Sequence, residues 1–390
     1  MSKLEELIQK YCPDGVEYKP LSTICKSIRT GKLNANAMVD GGNYPFFTCS
    51  EKVFSIDTYS FDTEALLIAG NGYLGNVKYF KGKFDAYQRT YVLSDFVKEA
   101  GIMYVYYCMQ NSFRDFALKS QKDGSVPYIT IGIFDKYLIP IPPLPVQEEI
   151  VRILDAFAEL HAELHAELQK RLQQYNYYRD NLLSFEGRTD VEWKKLGEIA
   201  TEWYRGAGIK RDEVSEEGYP CIRYGEIHTT YNIWFDECVS HTDESQQPAR
   251  KYADYGDILF AITSEDIPFV GNSVAYLGKE RILVGGDIVV MKHTQDPKYM
   301  SYVLSTSDAV KQKGKGKVKS KVVHTNVPSL QEIVVPLPSL EEQKRISSTL
   351  DKFYSLLNDL KAGLPAEIEK RRQQNEFYRD KLLTFKRKEA

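Results

Sequence analysis

The sequence lacks the features of several common classes of protein. None of its windows approaches the roughly 20 consecutive apolar residues of a membrane span, and residues 1–10 (MSKLEELIQK) have no apolar core of a signal peptide. The six cysteines are scattered without a CxxC pair, so we expect reduced thiols in a cytoplasmic protein. A net charge of −3 argues against a protein coated in basic surface, but it leaves room for local basic patches.

Motifs of catalysis are also missing. The sequence contains no Asn/Asp-Pro-Pro-aromatic motif of a methyltransferase and no P-loop. Residues 70–75 (GNGYLG) spell GxGxxG, but residues 76–84 read as a strand where a dinucleotide fingerprint needs a helix. Asp14, Glu17 and Lys19 resemble a PD…ExK nuclease centre, yet the two acids are too close for carboxylates that normally lie on separate strands. The sequence therefore predicts a chain without catalytic activity.

A metal site is equally weakly supported. Only His161 and His165 have i, i+4 spacing, and with Glu163 between them they do not form an HExxH motif. Both belong to three consecutive four-residue units, AELH-AELH-AELQ, over residues 158–169. We expect these histidines on a solvated or helix-facing side of a long helix.

What the chain does contain is a long internal repeat. Residues 139–155 (IPIPPLPVQEEIVRILD) match residues 335–351 (VPLPSLEEQKRISSTLD) at an offset of 196 positions. Residues 170–185 (KRLQQYNYYRDNLLSF) match residues 370–385 (KRRQQNEFYRDKLLTF) at an offset of 200 positions. A repeat of this length indicates two copies of one structural unit.

Each copy predicts a proline-rich start followed by a long helix. Apolar residues recur at steps of three or four, which indicates one apolar helix face. They are Ile150, Leu154, Phe157, Leu160, Leu164, Leu168, Leu172 and Tyr175 in the first copy, and Ile346, Leu350, Phe353, Leu357, Leu360, Leu364 and Ile368 in the second. Gly363 and Pro365 predict a kink or short break. We expect the two helices to pair antiparallel as a coiled coil; the alternative is two unrelated amphipathic helices in ordinary cores.

The segment before each helix is predicted to be a strand-rich globule. Short β-branched and aromatic runs bounded by Gly, Asn and Asp indicate strands. These runs are residues 65–69, 76–80, 89–93, 257–262, 272–277 and 281–292. The predicted fold class is therefore α+β, with two strand-rich globules, two long antiparallel helices and an approximate internal two-fold axis.

The layout and the repeated motifs resemble the specificity subunit of type I restriction-modification systems. The resemblance covers essentially the whole chain and is most specific in the matched helix starts and helix ends. The four-residue units are similar to the helical repeats of one subgroup, type IC. The resemblance implies two target-recognition domains, residues 1–145 and 187–341, which alternate with a central helix at 146–186 and a distal helix at 342–386.

The same resemblance implies a non-catalytic subunit in which each target-recognition domain reads one half of a bipartite site on double-stranded DNA. The helices would set the spacing and dock two methyltransferase subunits, and translocase-endonuclease subunits would join for cleavage. The complex would be an adenine-N6 DNA methyltransferase and an ATP-dependent endonuclease. It implies S-adenosylmethionine, ATP and Mg in the partner subunits, no cofactor in this chain, and no membrane association.

The main candidate for phosphate contact is a lysine run at residues 311–321 (KQKGKGKVKSK). On a strand the alternation would place every lysine on one face, and the two glycines also allow a mobile loop. We expect the cluster to stay out of the core and to neutralise phosphates; a solvated loop is the alternative. Its members are Lys311, Lys313, Lys315, Lys317, Lys319 and Lys321, and the thinner patch of the first half is Arg114, Lys119 and Lys122.

Base recognition would use polar side chains on loops that enter the major groove. The candidates in the first half are Thr48, Ser50, Lys52, Gln88 and Arg89, and those in the second half are Arg223, Tyr224, Thr229, Thr230 and Tyr231. An ordinary structural role is the alternative for each. Two other functional classes compete with a specificity subunit: a coiled-coil interaction scaffold without sequence-specific DNA binding, and a self-contained nuclease.

Overall fold

The chain divides into two compact units, which we call unit 1 and unit 2. The computed structural model describes residues 2–122, 125–247, 249–317, 322–358 and 363–388. Unit 1 comprises residues 1–165 and 367–390, and unit 2 comprises residues 166–366. Each unit therefore combines one globule with parts of both long-helix regions. None of the helices within the described ranges is long and apolar enough to cross a membrane.

Unit 1 contains a strand-rich globule and helices from both ends of the chain. Its strands are β1 (Glu17–Pro20), β2 (Cys25–Thr30), β3 (Tyr44–Phe47), β4 (Phe54–Ile56), β5 (Phe61–Ala69), β6 (Val77–Ala86), β7 (Thr90–Phe96) and β8 (Leu138–Ile141). Its helices are α1 (Lys3–Tyr11), α2 (Leu21–Ile24), α3 (Ile102–Ser120), α4 (Ile133–Lys136), the first part of α5 (Leu144–Leu182) and most of α12 (Leu364–Leu383).

Among the described residues, unit 2 has more strands than unit 1, and most of them are shorter. Its strands are β9 (Glu192–Lys195), β10 (Ala200–Arg205), β11 (Val214–Ser215), β12 (Tyr219–Ile222), β13 (Trp234–Phe235), β14 (Ser240–Thr242), β15 (Tyr252–Ala253), β16 (Ile258–Ala261), β17 (Thr263–Ser264), β18 (Ser273–Tyr276), β19 (Ile282–Val284), β20 (Ile288–His293), β21 (Val323–His324) and β22 (Val334–Leu337). Besides the end of α5, its helices are α6 (Leu196–Ile199), α7 (Tyr224–Thr229), α8 (Pro297–Leu304), α9 (Ser307–Gly314), α10 (Val327–Gln331) and α11 (Leu340–Asn358).

The sheet of unit 1 separates two hydrophobic clusters. Its strand order is β2-β7-β5-β6-β3-β4. Along β5 the side chains alternate, so that Leu66 and Ile68 belong to the cluster shared with α3, while Ala65 and Leu67 belong to the opposite cluster with Phe84. This alternation is the two-residue period of a strand buried on both faces.

Unit 2 divides its strands between two five-stranded sheets, β10-β20-β16-β18-β13 and β11-β14-β12-β19-β15. Both units also have a two-stranded antiparallel ribbon, β1 with β8 and β9 with β22, which joins the start of the globule to the segment before the long helix. Five of the six predicted runs each coincide with one strand, and the sixth, residues 281–292, contains β19 and β20 with a turn between them. The prediction of strand-rich globules is confirmed.

The long helices run antiparallel within each unit. In unit 1, the ring of Phe157 stacks on Tyr378 with centroids 5.9 Å apart, and the earlier residue Leu154 shares a buried cluster with the later residue Leu383. In unit 2, the rings of Tyr175 and Tyr354 are 6.1 Å apart, and Arg188, which follows α5, pairs with Glu342 in the first turn of α11 at 2.8 Å. The interruption expected at Gly363 is also present, because Gly363 lies outside the helices and α12 begins at the next residue, Leu364.

The matched glutamines of the repeat tie each long helix to its globule. In unit 1, the buried Gln147 side chain accepts from Gly101 N at 2.9 Å and donates to the carbonyls of Glu99 and Pro142, both at 2.7 Å. In unit 2, Gln343 accepts from Asp296 N at 3.0 Å and donates to Pro338 O at 2.9 Å. Each glutamine thus binds the backbone just before α3 or α8 and the proline segment that precedes its own helix.

Paired tyrosines complete the same junction. Tyr104 donates to Pro140 O at 3.0 Å, and Tyr107 donates to the Asp155 carboxylate at 2.5 Å. The second copy matches it, with Tyr299 bonded to Pro336 O at 2.8 Å and Tyr302 bonded to the Asp351 carboxylate at 2.7 Å. The prolines and aspartates that recur in the repeat therefore have the same tyrosine partners in both units. We call this arrangement of glutamine, proline carbonyls and tyrosines the helix junction.

Replacing Gln147 or Gln343 by alanine should destabilise the corresponding unit. Gln147→Ala removes the partner of one backbone N–H and two carbonyls, and Gln343→Ala removes the partner of one N–H and one carbonyl. Each buried group left without a partner costs about 1–3 kcal/mol. Urea unfolding should show the loss for both variants, whereas the exposed Gln373→Ala control on α12 should unfold like the wild type. Wild-type stability in both junction variants would contradict this role.

Candidate nucleic-acid interface

A parallel strand pair brings the candidate base-reading segments together in each unit. In unit 1, β3 runs parallel to β6 with Phe47 opposite Ala86, and Tyr87 N donates to Phe47 O at 2.9 Å. Because parallel strands end at the same edge, the segments 48–52 and 87–89 leave the sheet side by side. These segments contain all five candidates predicted for base recognition in the first half.

Unit 2 has the same arrangement. Strands β12 and β19 are parallel with Ile222 opposite Val284, and Gly285 N donates to Ile222 O at 2.9 Å. The segments 223–229 and 285–287 therefore leave together, and the first carries the candidates Arg223, Tyr224 and Thr229. The expectation of a loop is wrong for Tyr224 and Thr229, because residues 224–229 form helix α7. We call these two equivalent places the reading edges of unit 1 and unit 2.

A third segment crosses each reading edge at close range. A β-carbon at Gly31 would lie 1.7 Å from Ala86 O, and one at Gly206 would lie 2.2 Å from Gly285 O. Since real β-carbons do not approach an oxygen so closely, glycine is required at both positions. In unit 2 this third segment, residues 206–211, therefore lies at the reading edge.

The reading edge of unit 2 contains a cleft of about 880 Å³. It is lined by Arg205, Arg211, Arg223, Tyr224 and Thr229, among others. The guanidinium of Arg205 donates to Asp287 Oδ1 at 2.6 Å, and that of Arg223 lies 3.5 Å from the buried Glu226 carboxylate. Ion pairs therefore orient these two arginines beside the cleft, and the Tyr224 side chain is 39% exposed.

Two of the basic candidates of unit 1, Arg89 and Arg114, lie over tyrosine rings. The Arg89 guanidinium lies 5.8 Å from the ring centroid of Tyr128, whose backbone pairs with Lys122 at 2.8 and 3.3 Å. Arg114 lies 4.4 Å from the ring of Tyr73. Gln88 and Lys119 are exposed, the first at the reading edge and the second in the last turn of α3.

Two candidates lie in the interior. Tyr231 is buried, stacks on Phe235 with centroids 4.1 Å apart, and accepts a hydrogen bond from Val239 N at 2.8 Å. The Thr48 side chain is also buried and accepts from Ser50 N at 3.2 Å. For these two residues the structure supports the ordinary structural role.

The lysine run differs from both predicted forms. Lys311 and Lys313 belong to helix α9, Lys315 and Lys317 follow it, and Lys319 and Lys321 lie outside the described residues. The expectation that the run stays out of the core is wrong for Lys313, which is 6% exposed. Its ammonium donates to Leu304 O at 2.8 Å and to Ser273 Oγ at 3.3 Å, so acceptors compensate for its burial. Lys313 therefore occupies an interior position on a helix and not an exposed strand face.

The structure gives no catalytic or metal-binding geometry to the motifs discounted from the sequence, within the residues that it describes. Residues 70–75 lead into strand β6, so no helix is present to hold a pyrophosphate. Glu17 lies on β1 and pairs with Lys19 at 3.3 Å. The rings of His161 and His165 are 4.4 Å apart, and no group of three or more metal-binding side chains occurs among the residues that the structure describes.

Sequence reasoning missed one repeated feature at these edges. Residues 73–76 (YLGN) and 269–272 (FVGN) form the same turn, at an offset of 196 positions. The offset is that of the helix starts, so a comparison of the globules at this fixed spacing could have found it. The first turn lies inside the discounted GxGxxG segment.

The sequence resembles known proteins over most of its length, and these matches identify its family. The sequence twice matches the family described as type I restriction modification DNA specificity domain, at residues 13–174 and 189–370. It is 32% identical over 333 residues to the Escherichia coli type I restriction enzyme EcoR124I/EcoR124II specificity subunit, covering 80% of this chain and 77% of the relative. It is 27% identical over 386 residues to a putative type I restriction enzyme specificity subunit of Haemophilus influenzae, covering 95% and 96%.

A solved structure supports the fold. It belongs to a study of complex assembly and conformational transition of the type I R-M system, and it has a TM-score of 0.62 at 15% identity, covering 95% of this chain and 98% of that chain. The two family matches together span most of the sequence. The chain therefore belongs to the family of type I restriction-modification DNA specificity proteins.

The buried Lys313 predicts a specific pH dependence of stability. Burial lowers the pKa of Lys313 to about 7 from its ordinary value of 10.5. Between these values the unfolded chain binds more protons than the folded chain, so folding stability should rise with pH across that window. Lys313→Met should reduce this rise in urea unfolding at pH 7, 8 and 9, while Lys311→Met, at an exposed position, should retain it. A wild-type pH profile in Lys313→Met would contradict the lowered pKa of Lys313.

Proposed function

We propose that this chain is the DNA sequence-specificity subunit of a type I restriction-modification complex, in which each unit reads one half of a bipartite target. The observation that carries the proposal is the duplicated reading edge, one in each globule, in a chain that matches a DNA specificity domain twice. Two distinct readers in one chain fit a target with two different halves.

The chain itself is proposed to be non-catalytic. Catalysis would belong to partners: two methyltransferase subunits that bind S-adenosylmethionine and modify adenine N6, and translocase-endonuclease subunits that use ATP and Mg. In this proposal residues 1–145 and 187–341 act as target-recognition domains, and the helices at 146–186 and 342–386 set the spacing and dock the methyltransferases. The helix junctions support it, because they attach each globule to a helix start in the same way.

The DNA contacts are proposed from the sequence candidates that reach the surface. Base contact is assigned to Gln88 and Arg89 in unit 1 and to Arg223, Tyr224 and Thr229 in unit 2. Phosphate contact is assigned to Arg114, Lys119 and Lys122 in unit 1, and to Lys311, Lys315, Lys317, Lys319 and Lys321 in unit 2. Lys313 is left out, because its ammonium is buried against Leu304 O.

The experiment that tests the function is mapping of methylated adenines in DNA from cells that carry this subunit and its partner methyltransferase. A bipartite sequence with two defined halves is expected. A gel-shift assay with the purified complex separates the alternatives, because an interaction scaffold would assemble with the methyltransferase without preferring any DNA sequence. Methylation without a bipartite motif would contradict the proposal.

Removal of the lysines that follow α9 should weaken DNA binding without changing its sequence preference. Replacing Lys315, Lys317 and Lys319 by alanine removes phosphate contacts, which carry little sequence information. The slope of log affinity against log salt should fall by about 1 for each phosphate that is no longer neutralised. The control is Lys279→Ala, since Lys279 lines a different cleft of unit 2. A weakening confined to particular base substitutions would contradict phosphate contact.

Shortening α5 should shorten the gap between the half-sites. Deleting Ala162 to His165 removes one four-residue unit, about 6 Å of helix at about 1.5 Å per residue. With base pairs spaced about 3.4 Å apart, the gap should shrink by one base pair or at most two. The apolar stripe stays in register, because the deleted unit is four residues long.

The readout is the methylated motif, with the same two half-sequences expected across a shorter gap. A length-preserving control, Glu163→Ala with His165→Ala, should keep the original gap. Full methylation at the original spacing by the deletion variant would show that these units do not set the distance.

A further inference from the structure

The two turns at residues 73–76 and 269–272, which we call the aromatic turns, are equivalent in detail. In unit 1, Gly75 N donates to Ala69 O at 2.9 Å, and Asn76 N donates to Tyr73 O at 3.1 Å. In unit 2, Gly271 N donates to Ala261 O at 2.9 Å, and Asn272 N donates to Phe269 O at 3.1 Å. The glycines have φ of +74° and +72°, a conformation that glycine adopts without strain.

Each turn is anchored in its unit by a buried aliphatic side chain, and a basic residue packs against its glycine. Leu74 and Val270 are buried at the second position of each turn. A β-carbon at Gly75 would lie 3.0 Å from Arg114 Cα, and one at Gly271 would lie 3.5 Å from Lys313 Cγ. The buried Lys313 therefore has a place in this arrangement, since its aliphatic chain lies under the second turn.

This anchoring leaves the first residue of each turn at the surface. Phe269 is 52% exposed, and Tyr73 is partly exposed with Arg114 over its ring. The turn conformation needs the glycine and the aliphatic anchor, but it does not need an aromatic ring at this position. A half-exposed phenyl ring forgoes part of the burial free energy that a phenylalanine gains in a core. Its recurrence in both units indicates contact with something outside the chain.

Both rings adjoin a reading edge. In unit 2, Phe269 lines one depression of about 470 Å³ together with Tyr224 and Thr229. In unit 1, Tyr73 N donates to Cys49 O at 2.9 Å, and Gly70 N donates to Arg89 O at 2.9 Å. The aromatic turns thus lie directly beside the segments that carry the base-reading candidates.

The charge around the rings fits a nucleic acid. Arg114 accompanies Tyr73, and helix α9, which bears Lys311 and leads into Lys315, packs against the short 3₁₀ helix that ends at Phe269. Two carboxylates, Glu265 and Asp266, also line the depression, and carboxylates accept from the amino group of cytosine. The cationic side chains can pair with DNA phosphates. The apolar ring and the carboxylate acceptors beside them can contact the edges of bases in the major groove.

We propose that Tyr73 and Phe269 are specificity-determining residues that contact bases of the first and second half-site, and that Phe269 packs against a thymine 5-methyl group. This methyl is the one apolar group that the four bases present in the major groove. The proposal rests on the proposed function, because it names residues of the same DNA interface. It assigns a DNA contact to a position outside the lysine run and outside the candidates found from the sequence.

The test uses the full subunit with its methyltransferase partner and a duplex oligonucleotide that carries the mapped target. Phe269→Ala should weaken binding to this duplex about tenfold, within the range expected for one base-pair mismatch, and should relax the preference at one position of the second half-site. Tyr73→Ala should relax a position of the first half-site and leave the second unchanged. Tyr255→Ala, at a 66% exposed aromatic residue of unit 2, should leave affinity and preference unchanged.

The methyl contact is tested by replacing thymines of the second half-site one at a time by uracil. One such replacement should weaken binding of the wild type about fourfold, the effect of removing one buried methyl-sized group, and should leave Phe269→Ala unaffected. Phe269→Leu, which keeps an apolar side chain, should restore part of the uracil sensitivity. Thermal unfolding of each variant checks that the unit remains folded.

Several outcomes would overturn the inference. Unchanged DNA affinity in Phe269→Ala, or equal uracil sensitivity in the wild type and Phe269→Ala, would do so. A Phe269→Ala subunit that fails to bind the methyltransferase would instead identify the ring as a protein contact. A wild-type complex without any sequence preference would contradict the proposed function itself, which is a different result from a failure of this inference.

Discussion

The helix junction is the interaction on which the rest of the structure depends. A long helix with one apolar face gains little stability alone, and a globule without a fixed attachment cannot hold its loops in a defined direction. Gln147 and Gln343 attach each long helix to its globule in the same way. Each buried amide bonds to the backbone of the globule and to the proline segment before its own helix. Both glutamines are buried, so removing either amide would leave backbone polar groups without these partners, among them the carbonyl of Pro142 or Pro338.

From this attachment follows the position of the interface. The ribbons β1–β8 and β9–β22 lead from the junction into the globule, whose parallel strand pair brings two segments to one edge. The same construction occurs in both units, although the segments differ and one segment of unit 2 is helix α7. Unit 2 has arginines oriented by Asp287 and Glu226, whereas unit 1 uses arginines placed over tyrosine rings. One scaffold with two different sets of segments is what a reader of a two-part sequence requires.

One lysine of the basic run, Lys313, has a role in the interior that the charge pattern did not indicate. The alternation of lysines in that run suggested one continuous basic face, but the helical turn of α9 directs Lys313 inward, where two oxygens accept from its ammonium. The side chain then lies beneath the aromatic turn of unit 2. A lysine that the sequence assigns to phosphate contact is thus a packing residue in the structure. The direction of its side chain depends on helix geometry, which the charge pattern does not encode.

Much of the architecture follows from the sequence alone. The offset of 196 positions between the helix starts, the apolar period of the helices and the β-branched runs indicated two globules with two long helices, because these signals are local and periodic. The interruption at Gly363 followed from the conformational limits of glycine and proline in a helix. Local composition also placed Gln88 and Arg89 on a surface loop. The same prediction was wrong for Tyr224 and Thr229, which lie on helix α7.

The tertiary structure decided which residues meet. The parallel pairing of β3 with β6 and of β12 with β19 joins segments about 40 to 60 residues apart in the chain, and no local signal specifies such a pairing. The burial of Tyr231 and Lys313 and the exposure of Phe269 likewise depend on what packs around each side chain. Local patterns encode conformation, whereas contacts between distant segments are set by how the strands and helices pack. The sequence therefore determined the elements of this protein, and their packing determined its reading edges.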